Sequence, residues 1–380
     1  MTERSPGNGV DHADPQYVPD RQEWLIDGFW HCIKNGKFTM RNVYHALIDL
    51  LEVNQKAQVG TSSDKDPLVH CRGFQGFRVP RGCPIVTHLG YADDVLVFSS
   101  ANASSLRLVM SVLEEYEASS GQRVNKSKSY FLGHASLGRA RRMVIQRITG
   151  FTSGSFPIRY LGYPLFYGRR KREYFAGLCQ AVVRKIESWE HKLLSAGGRI
   201  VLVKHVLSVL PVYLLMAASP PKSVFREIEG WFSNFLWGES KWGLKCHWIR
   251  WQDLCVPREE GGLGFRRLED VHTAFSIKLW WNFRSLSSLW SSFMKAKYCA
   301  QVHPNLVNHH GGSLVWRRML TVRHLAELHI GWIGRSGGLN FWFDNWIGTG
   351  SLASRLDSVS DHLVADFLED GQWNLSLLQQ

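Results

Sequence analysis

A chain of 380 residues is long enough for two or three domains and a sizeable core, and 44% hydrophobic with 21% charged residues is a globular balance. The net charge of +12 points to a polyanionic partner. Seven scattered cysteines with no C-x-x-C pair argue against a disulfide framework or a zinc knuckle and suit a reducing compartment.

In chain order, residues 1–20 read as a disordered polar leader without the apolar core of a signal peptide. Residues 21–69 read as a short strand–helix segment, "NGKFTMRNVYHALIDLL", then a polar linker over 52–69. From 71, "CRGFQGFRVPRGCPIVTHLGYADDVLVFSS" predicts strand, turn, strand, with a tight turn near Ala92 to Asp94 between the arms "IVTHLG" and "VLVF". Leu106, Val109, Met110 and Leu113 fall at helical spacing, with Ser104 or Ser105 as N-cap and Gly121 past the end. Phe175, Leu178, Val182, Ile186, Trp189 and Leu193 mark a second amphipathic helix, whose other face holds Arg184, Lys185 and Lys192.

The longest apolar stretch, "VLSVLPVYLLMAAS" from 206, has 14 residues and contains Pro211. A bilayer needs about 20, so it reads as buried helix. Pro220-Pro221 starts a third helix that buries Val224, Phe225, Ile228, Trp231, Phe232 and Phe235. Twelve of the 16 tryptophans lie between Trp231 and Trp346. Among phenylalanines and leucines at helical spacing they read first as core, second as stacking surfaces for unpaired bases. "GGLNFWFDNWIGTG" reads as an aromatic hairpin with a glycine turn.

Charge is unevenly distributed. Between Arg123 and Lys204 there are 17 basic residues and three acidic ones, a surplus of 14 that exceeds the net charge of the whole chain. Basicity confined to one segment suits a groove that tracks a phosphate backbone, because each contact releases counterions. A solvated helix face is the competing reading.

Asp93 and Asp94 are the sharpest chemical feature. Nucleotidyl transfer by two metal ions needs carboxylates converging on cations about 3.5–4 Å apart, and a hairpin turn projects adjacent side chains beyond the strand ends. Aspartate is also a common turn residue, so the pair alone decides nothing.

The order of motifs goes further. "HLGYADDVLVFS", "SSGQRVNKSKS" and "FPIRYLGYPL" resemble successive motifs of non-LTR (LINE-type) retrotransposon reverse transcriptases, particularly those of plants. The resemblance continues through "WEHKLLSAGGRIVLVKHVLSVLPVYLL", "FLWG", "HWIRWQDLCVPREEGGLGFRRLED" and "FWFDNWIGTG", from about 75 to 370. It implies that Asp93 and Asp94 bind Mg2+ or Mn2+, with Tyr91 and Ala92 beside primer and metals. It implies further that Lys128 lies near the incoming triphosphate and protonates the departing pyrophosphate, in a loop shaped by Asn125. "RYLGYPL" resembles a primer-gripping hairpin with Arg159 on a phosphate. Arg169, Arg170, Lys171, Arg172, Arg184, Lys185 and Lys192 resemble a thumb that closes on the backbone of an RNA template with its DNA primer, or of an RNA–DNA duplex.

The family's earlier catalytic segment, of the type D-x-x-K-A-F-D, is not found in the 90 residues before Tyr91, nor is its Q-G-D-P-L-S-P-type segment. "GKFTMRNVYHAL" resembles a stretch the family carries downstream, which implies a rearranged or mis-assembled reading frame. His309-His310 and Cys246-His247 lack zinc-ligand spacing, so no zinc is expected.

The expected fold is α+β and mainly helical: a remnant palm β hairpin, a helical thumb-like domain and a Trp-rich C-terminal region. The boundaries are 1–20, 21–69, 70–168, 169–240 and 241–380. The expected function is that of a reverse-transcriptase fragment with little or no polymerase activity alone, located in nucleus or cytoplasm and with no membrane partner. A non-catalytic nucleic-acid-binding protein and a helical protein-binding scaffold are the other readings.

Overall fold

The computed structural model describes residues 29–33, 58–61, 73–77, 79–91, 94–133, 137–166, 168–190, 194–240, 243–244, 246–300, 302–307, 312–333, 338–355, 361–369 and 372–378. Six strands form one sheet: β1 (Phe29–Ile33), β2 (Gln58–Thr61), β3 (Val86–Tyr91), β4 (Asp94–Ser100), β5 (Tyr130–Gly133) and β6 (Thr152–Ser153). Their order is β2-β3-β4-β1-β5-β6. The predicted hairpin is β3–β4, antiparallel, with Leu89 opposite Leu96 and Tyr91 opposite Asp94. β1 lies between β4 and β5 and parallel to both. The chain between β4 and β5 contains helix α1 (Ala103–Ser120), so β4–α1–β5 is a split β-α-β unit with β1 in the gap.

Two expectations change here. Gln58–Thr61, expected as linker, pairs with β3 at the sheet edge, where a strand needs no apolar face. The expected hairpin is present, but more sheet flanks it than a remnant implies, with β2 on one side and β1 on the other. The strand expected within 35–51 lies outside the described residues.

Side chains alternate across the sheet as a period of two requires. Val95, Val97 and Phe131 point to one face and pack on Leu106, Val109, Met110 and Leu113 of α1 and on Ile145 of α2 (Arg139–Thr149). Leu89, Leu96, Phe98 and Leu132 point to the other face and join the largest apolar cluster. Each fully buried aliphatic or aromatic side chain contributes roughly 1.5–3 kcal/mol, so the hairpin arms are well anchored. The N-cap of α1 is Asn102, two residues before the expected Ser104: its Oδ1 accepts from the Ser104 amide at 3.2 Å. Ser105 is buried instead, and its hydroxyl accepts from the Gln75 amide at 2.8 Å.

A two-residue hairpin follows, β7 (Ile158–Tyr160) and β8 (Tyr163–Leu165), with Leu161 and Gly162 both at positive φ. That turn matches the twist of the flanking strands. The helical body comes next: α3 (Ala176–Glu190), α4 (Ala196–Leu202), α5 (Val212–Ala217) and α6 (Lys222–Trp237). Leu193 lies outside the described residues. Pro221 caps α6, which buries Val224, Phe225, Ile228 and Phe232, while Trp231 and Phe235 are partly buried.

The long apolar stretch is not one buried helix. α4 passes into a π-helical turn at Val203–Leu207, and α5 restarts after Pro211. Val203, Leu207 and Leu215 are buried, while Val209, Tyr213 and Met216 face solvent. Among the described residues no helix is long and apolar enough to cross a membrane.

The tryptophan-rich helices are α7 (Leu268–Ser285), α8 (Leu289–Met294) and α9 (Leu314–His329). Trp280, Trp290 and Trp316 are fully buried and share one cluster with the sheet and the β7–β8 hairpin. The core reading therefore fits these three, whereas Trp248 is 81% exposed.

Residues 338–350 form no hairpin. Buried polar side chains tie the backbone: Asn340 Oδ1 accepts from the Trp342 and Phe343 amides, and Asn345 Oδ1 from those of Gly348 and Gly350. Buried Asn, Asp and aromatic residues here replace a strand ladder with side-chain caps.

His272 on α7 gives a pH prediction. Burial, then the charges of Arg318 and Arg170, pull its titration down from 6.5 to about 3. Between those values the unfolded chain binds a proton that the folded chain does not. Stability should fall as pH drops through this window, by at most about 1.4 kcal/mol per pH unit. His272→Gln should flatten that part of the curve in urea unfolding followed from pH 7 to 4.

Candidate functional site

The sheet brings the sequence-predicted residues to one end. Phe29 of β1 is level with Leu96 of β4 on one side and with Tyr130 of β5 on the other. Asp94 opens β4 and Tyr130 opens β5, so both strand starts, and the 125–129 loop leading into β5, share one end of the sheet. They are two strand spacings, about 10 Å, apart across the sheet and offset by two residues along it. Asp94 shares a face with Leu96 and Phe98, and Tyr91 is paired with it. That face is opposite the one covered by α1 and α2.

Tyr91 is 48% exposed, Asp94 is half-buried and Lys128 is exposed. Sequence reasoning missed Tyr130, which belongs with this group. Burial raises its phenol's titration first, and the nearby charge of Asp94 raises it further. Its position one residue past "NKSKS" was the available signal, but only the register across β1 makes it a neighbour of Asp94.

Asn125 builds the loop that carries Lys128. Its Oδ1 accepts from the amides of Ser127 and Lys128, both at 3.2 Å, and from the Ser127 hydroxyl at 2.7 Å. Its carbonyl accepts from the Ser129 amide at 3.0 Å and hydroxyl at 2.8 Å. Asn125→Ala removes the side-chain half of this set. The expected cost is about 1–2 kcal/mol, confined to the loop and read as faster amide exchange at Ser127 and Lys128.

The β7–β8 hairpin is docked on the helical body. The Tyr163 hydroxyl donates to the Tyr213 carbonyl at 2.6 Å, and the Tyr213 hydroxyl donates to the Leu161 carbonyl at 2.9 Å. Arg159 is exposed on β7, its guanidinium lying close over Gly177 at the start of α3.

The basic residues divide into two kinds. Arg172 donates from Nε to Glu227 Oε2 at 2.6 Å and from Nη2 to Oε1, and this pairing raises its own titration and lowers that of the carboxylate. Arg170 Nη1 donates to the Ser219 carbonyl at 3.3 Å. Lys204 Nζ donates to the Leu263 carbonyl, and the Arg199 guanidinium fills the space beside Gly238. By contrast, Arg169, Lys171 and Arg184 are exposed, with no ion pair among the described residues; Lys185 is exposed and lies 5.1 Å over the Trp189 ring. Arg139, Arg141 and Arg147 on α2 add an exposed basic helix that sequence reasoning counted but did not single out.

Asp93 and Lys192 lie outside the described residues. Adjacent carboxylates suit a hard divalent cation. Among the described residues no group of three or more His, Cys, Asp or Glu is placed to hold a metal ion.

Comparison with known proteins gives partial likenesses. Over 190 residues the chain is 29% identical to an Arabidopsis thaliana protein described as "Putative ribonuclease H protein", covering 48% of this chain and 31% of that one. Over 191 residues it is 28% identical to the "Transposon TX1 uncharacterized 149 kDa protein" of Xenopus laevis, covering 48% of this chain and 14% of that one. Over 70 residues it is 33% identical to an uncharacterized mitochondrial protein of Arabidopsis thaliana, covering 18% of this chain and 46% of that one. No family model matches. The chain spans less than half the length of each of these relatives.

Proposed function

We propose that this chain is part of a retrotransposon-encoded RNA-directed DNA polymerase and that, by itself, it holds a primer–template duplex rather than extends it. The observation that carries the reading is the position of Tyr91, Asp94 and the Lys128 loop at one end of one sheet, with Tyr91 and Asp94 on the face opposite α1 and α2. The motif order in the sequence and the transposon origin of one relative support the same descent.

In this reading residues 70–168 act as the palm and 169–240 as the thumb. Asp93 and Asp94 would hold a Mg2+ or Mn2+ ion, which when bound would supply Lewis-acid stabilisation of the phosphoryl oxygens. In the complete polymerase Lys128 would deliver a proton toward the departing pyrophosphate, and Asn125 keeps its loop in place. Tyr91 supports the primer end and Arg159 a primer phosphate. Arg169, Lys171, Arg184 and Lys185 neutralise the duplex backbone.

Polymerisation in the family's manner needs a further carboxylate from an earlier segment, and the 90 residues before Tyr91 offer no such motif. Two carboxylates on one turn fix a second metal poorly, and misplaced catalytic groups cost orders of magnitude in rate. This observation favours duplex binding without chemistry as the activity of the chain alone. Primer extension on an RNA template with Mg2+ or Mn2+ tests it: no extension beyond that of Asp93→Asn is expected. Extension abolished in Asp93→Asn would overturn the inactive assignment.

A further inference from the structure

Away from the sheet edge, a cleft of about 340 Å³ opens between the first turn of α6, α7 and α9. Four cationic side chains line it, Arg170, Lys222, Arg317 and Arg318, against a single carboxylate, Glu269. Glu269 is already engaged: Lys222 Nζ is 2.7 Å from its Oε1 and Arg267 is 3.6 Å from its Oε2. Arg318 is a fixed charge in the wall, 6% exposed, donating to the carbonyls of Leu215, Met216 and His272 and to the Ser276 hydroxyl.

Arg170 and Arg317 stand exposed at the mouth, and neither is paired with a carboxylate among the described residues; burial first, then the charge of Arg317, lowers the titration of Arg170. His272, with Nε2 3.1 Å from Ser219 Oγ, reports the same field: burial first, then Arg318 and Arg170, keep it neutral. A concave wall lined by one sign of charge focuses potential and raises the local concentration of an oppositely charged ligand.

We infer that this cleft binds the phosphate group of a nucleotide-sized phosphate ester. Guanidinium forks recognise phosphate oxygens in pairs, and cations from three segments, the residues before α3, α6 and α9, outnumber the one carboxylate in the lining and leave charge for a multivalent anion. The volume is that of a small-molecule site rather than a bare-ion hole. The phosphate could belong to a free nucleotide or to the 5′ end of a nucleic acid strand. Neither source depends on the polymerase assignment of the Asp94 end of the sheet, because Arg317 takes no part in it.

The test uses the full chain with labelled histidine. It is titrated with 5′-AMP, with a 5′-phosphorylated single-stranded decanucleotide and with the same strand bearing a 5′-hydroxyl. AMP, the phosphorylated strand or both should shift the His272 resonance. A phosphorylated ligand should bind at least about tenfold tighter than the hydroxyl strand, the size of one charged hydrogen-bonded contact. Arg317→Gln, a change at an exposed position, should remove that advantage, while Arg107→Gln should retain it. Response to AMP identifies a free-nucleotide site, and response to the phosphorylated strand alone identifies a strand-end site. Equal affinity for phosphorylated and hydroxyl strands with no His272 shift from any ligand overturns the proposal, as does an unchanged preference in Arg317→Gln.

Discussion

Asp344→Ala should destabilise the tryptophan-rich half by about 3–5 kcal/mol, the cost of stranding a buried partner charge. Asp344 is 8% exposed and Arg284 only 7% by side chain, and the two are ion-paired. Arg284 also lies 3.2 Å from Glu327, which accepts from the Trp280 indole at 2.6 Å. His303 Nε2 lies 3.2 Å from Asp344 Oδ1, and the Asn340 amide donates to its Oδ2 at 2.9 Å.

One network therefore ties α7, α9 and the 338–350 turns. Burial alone would raise the Asp344 titration, but the His303 hydrogen bond, the Arg284 charge and the Asn340 amide hold it below the usual carboxylate range. A depressed folded value means stability that is present above the unfolded pKa and is lost as acid protonates the group in the folded state. Thermal unfolding and amide exchange in α7 and α9 read the effect. Because the pair acts as a unit, Arg284→Met with Asp344→Asn should cost less than the sum of the two single changes.

The second large effect concerns binding. Replacing Arg169, Lys171, Arg184 and Lys185 by glutamine should make the salt dependence of duplex binding shallower by up to about four in the log–log slope. Over a fourfold rise in salt that slope amounts to roughly a hundredfold in affinity. Arg172→Gln should change the slope far less, because the Arg172 guanidinium is already committed to Glu227. Fluorescence anisotropy of a labelled RNA–DNA duplex across a salt series separates these outcomes. Equal slopes for the four-site variant and the unaltered chain would remove the segment from the interface.

What the sequence made legible follows from how local each signal is. The β3–β4 arms alternate apolar residues on both faces, and α1 and α6 carry their caps and buried stripes within a few residues. β1 and β2 were not legible, because a four- or five-residue strand is defined by partners far away in sequence: Phe29 meets Leu96 and Tyr130. "FWFDNWIGTG" carries the composition of a hairpin. Asn340, Asp344 and Asn345 nonetheless cap its backbone with side chains, and composition does not distinguish the two.

At the candidate site, Asp94 and Lys128 were singled out through motif order alone. Tyr130 needed the sheet register. The basic run 169–172 looks uniform as sequence. Glu227, which lies 55 positions from Arg172, and the Ser219 carbonyl, 49 from Arg170, separate these two from Arg169 and Lys171, which have no ion pair among the described residues.

The most direct test of the account is photocrosslinking of an RNA-template, DNA-primer duplex to the intact chain, with one photoreactive base at the primer terminus and others along the duplex. Mapped by mass spectrometry, the terminus should label the Tyr91–Asp94 hairpin or the 125–130 loop, and the duplex should label 169–185. Labelling that misses both segments, or that persists under a large excess of unlabelled duplex, would contradict it.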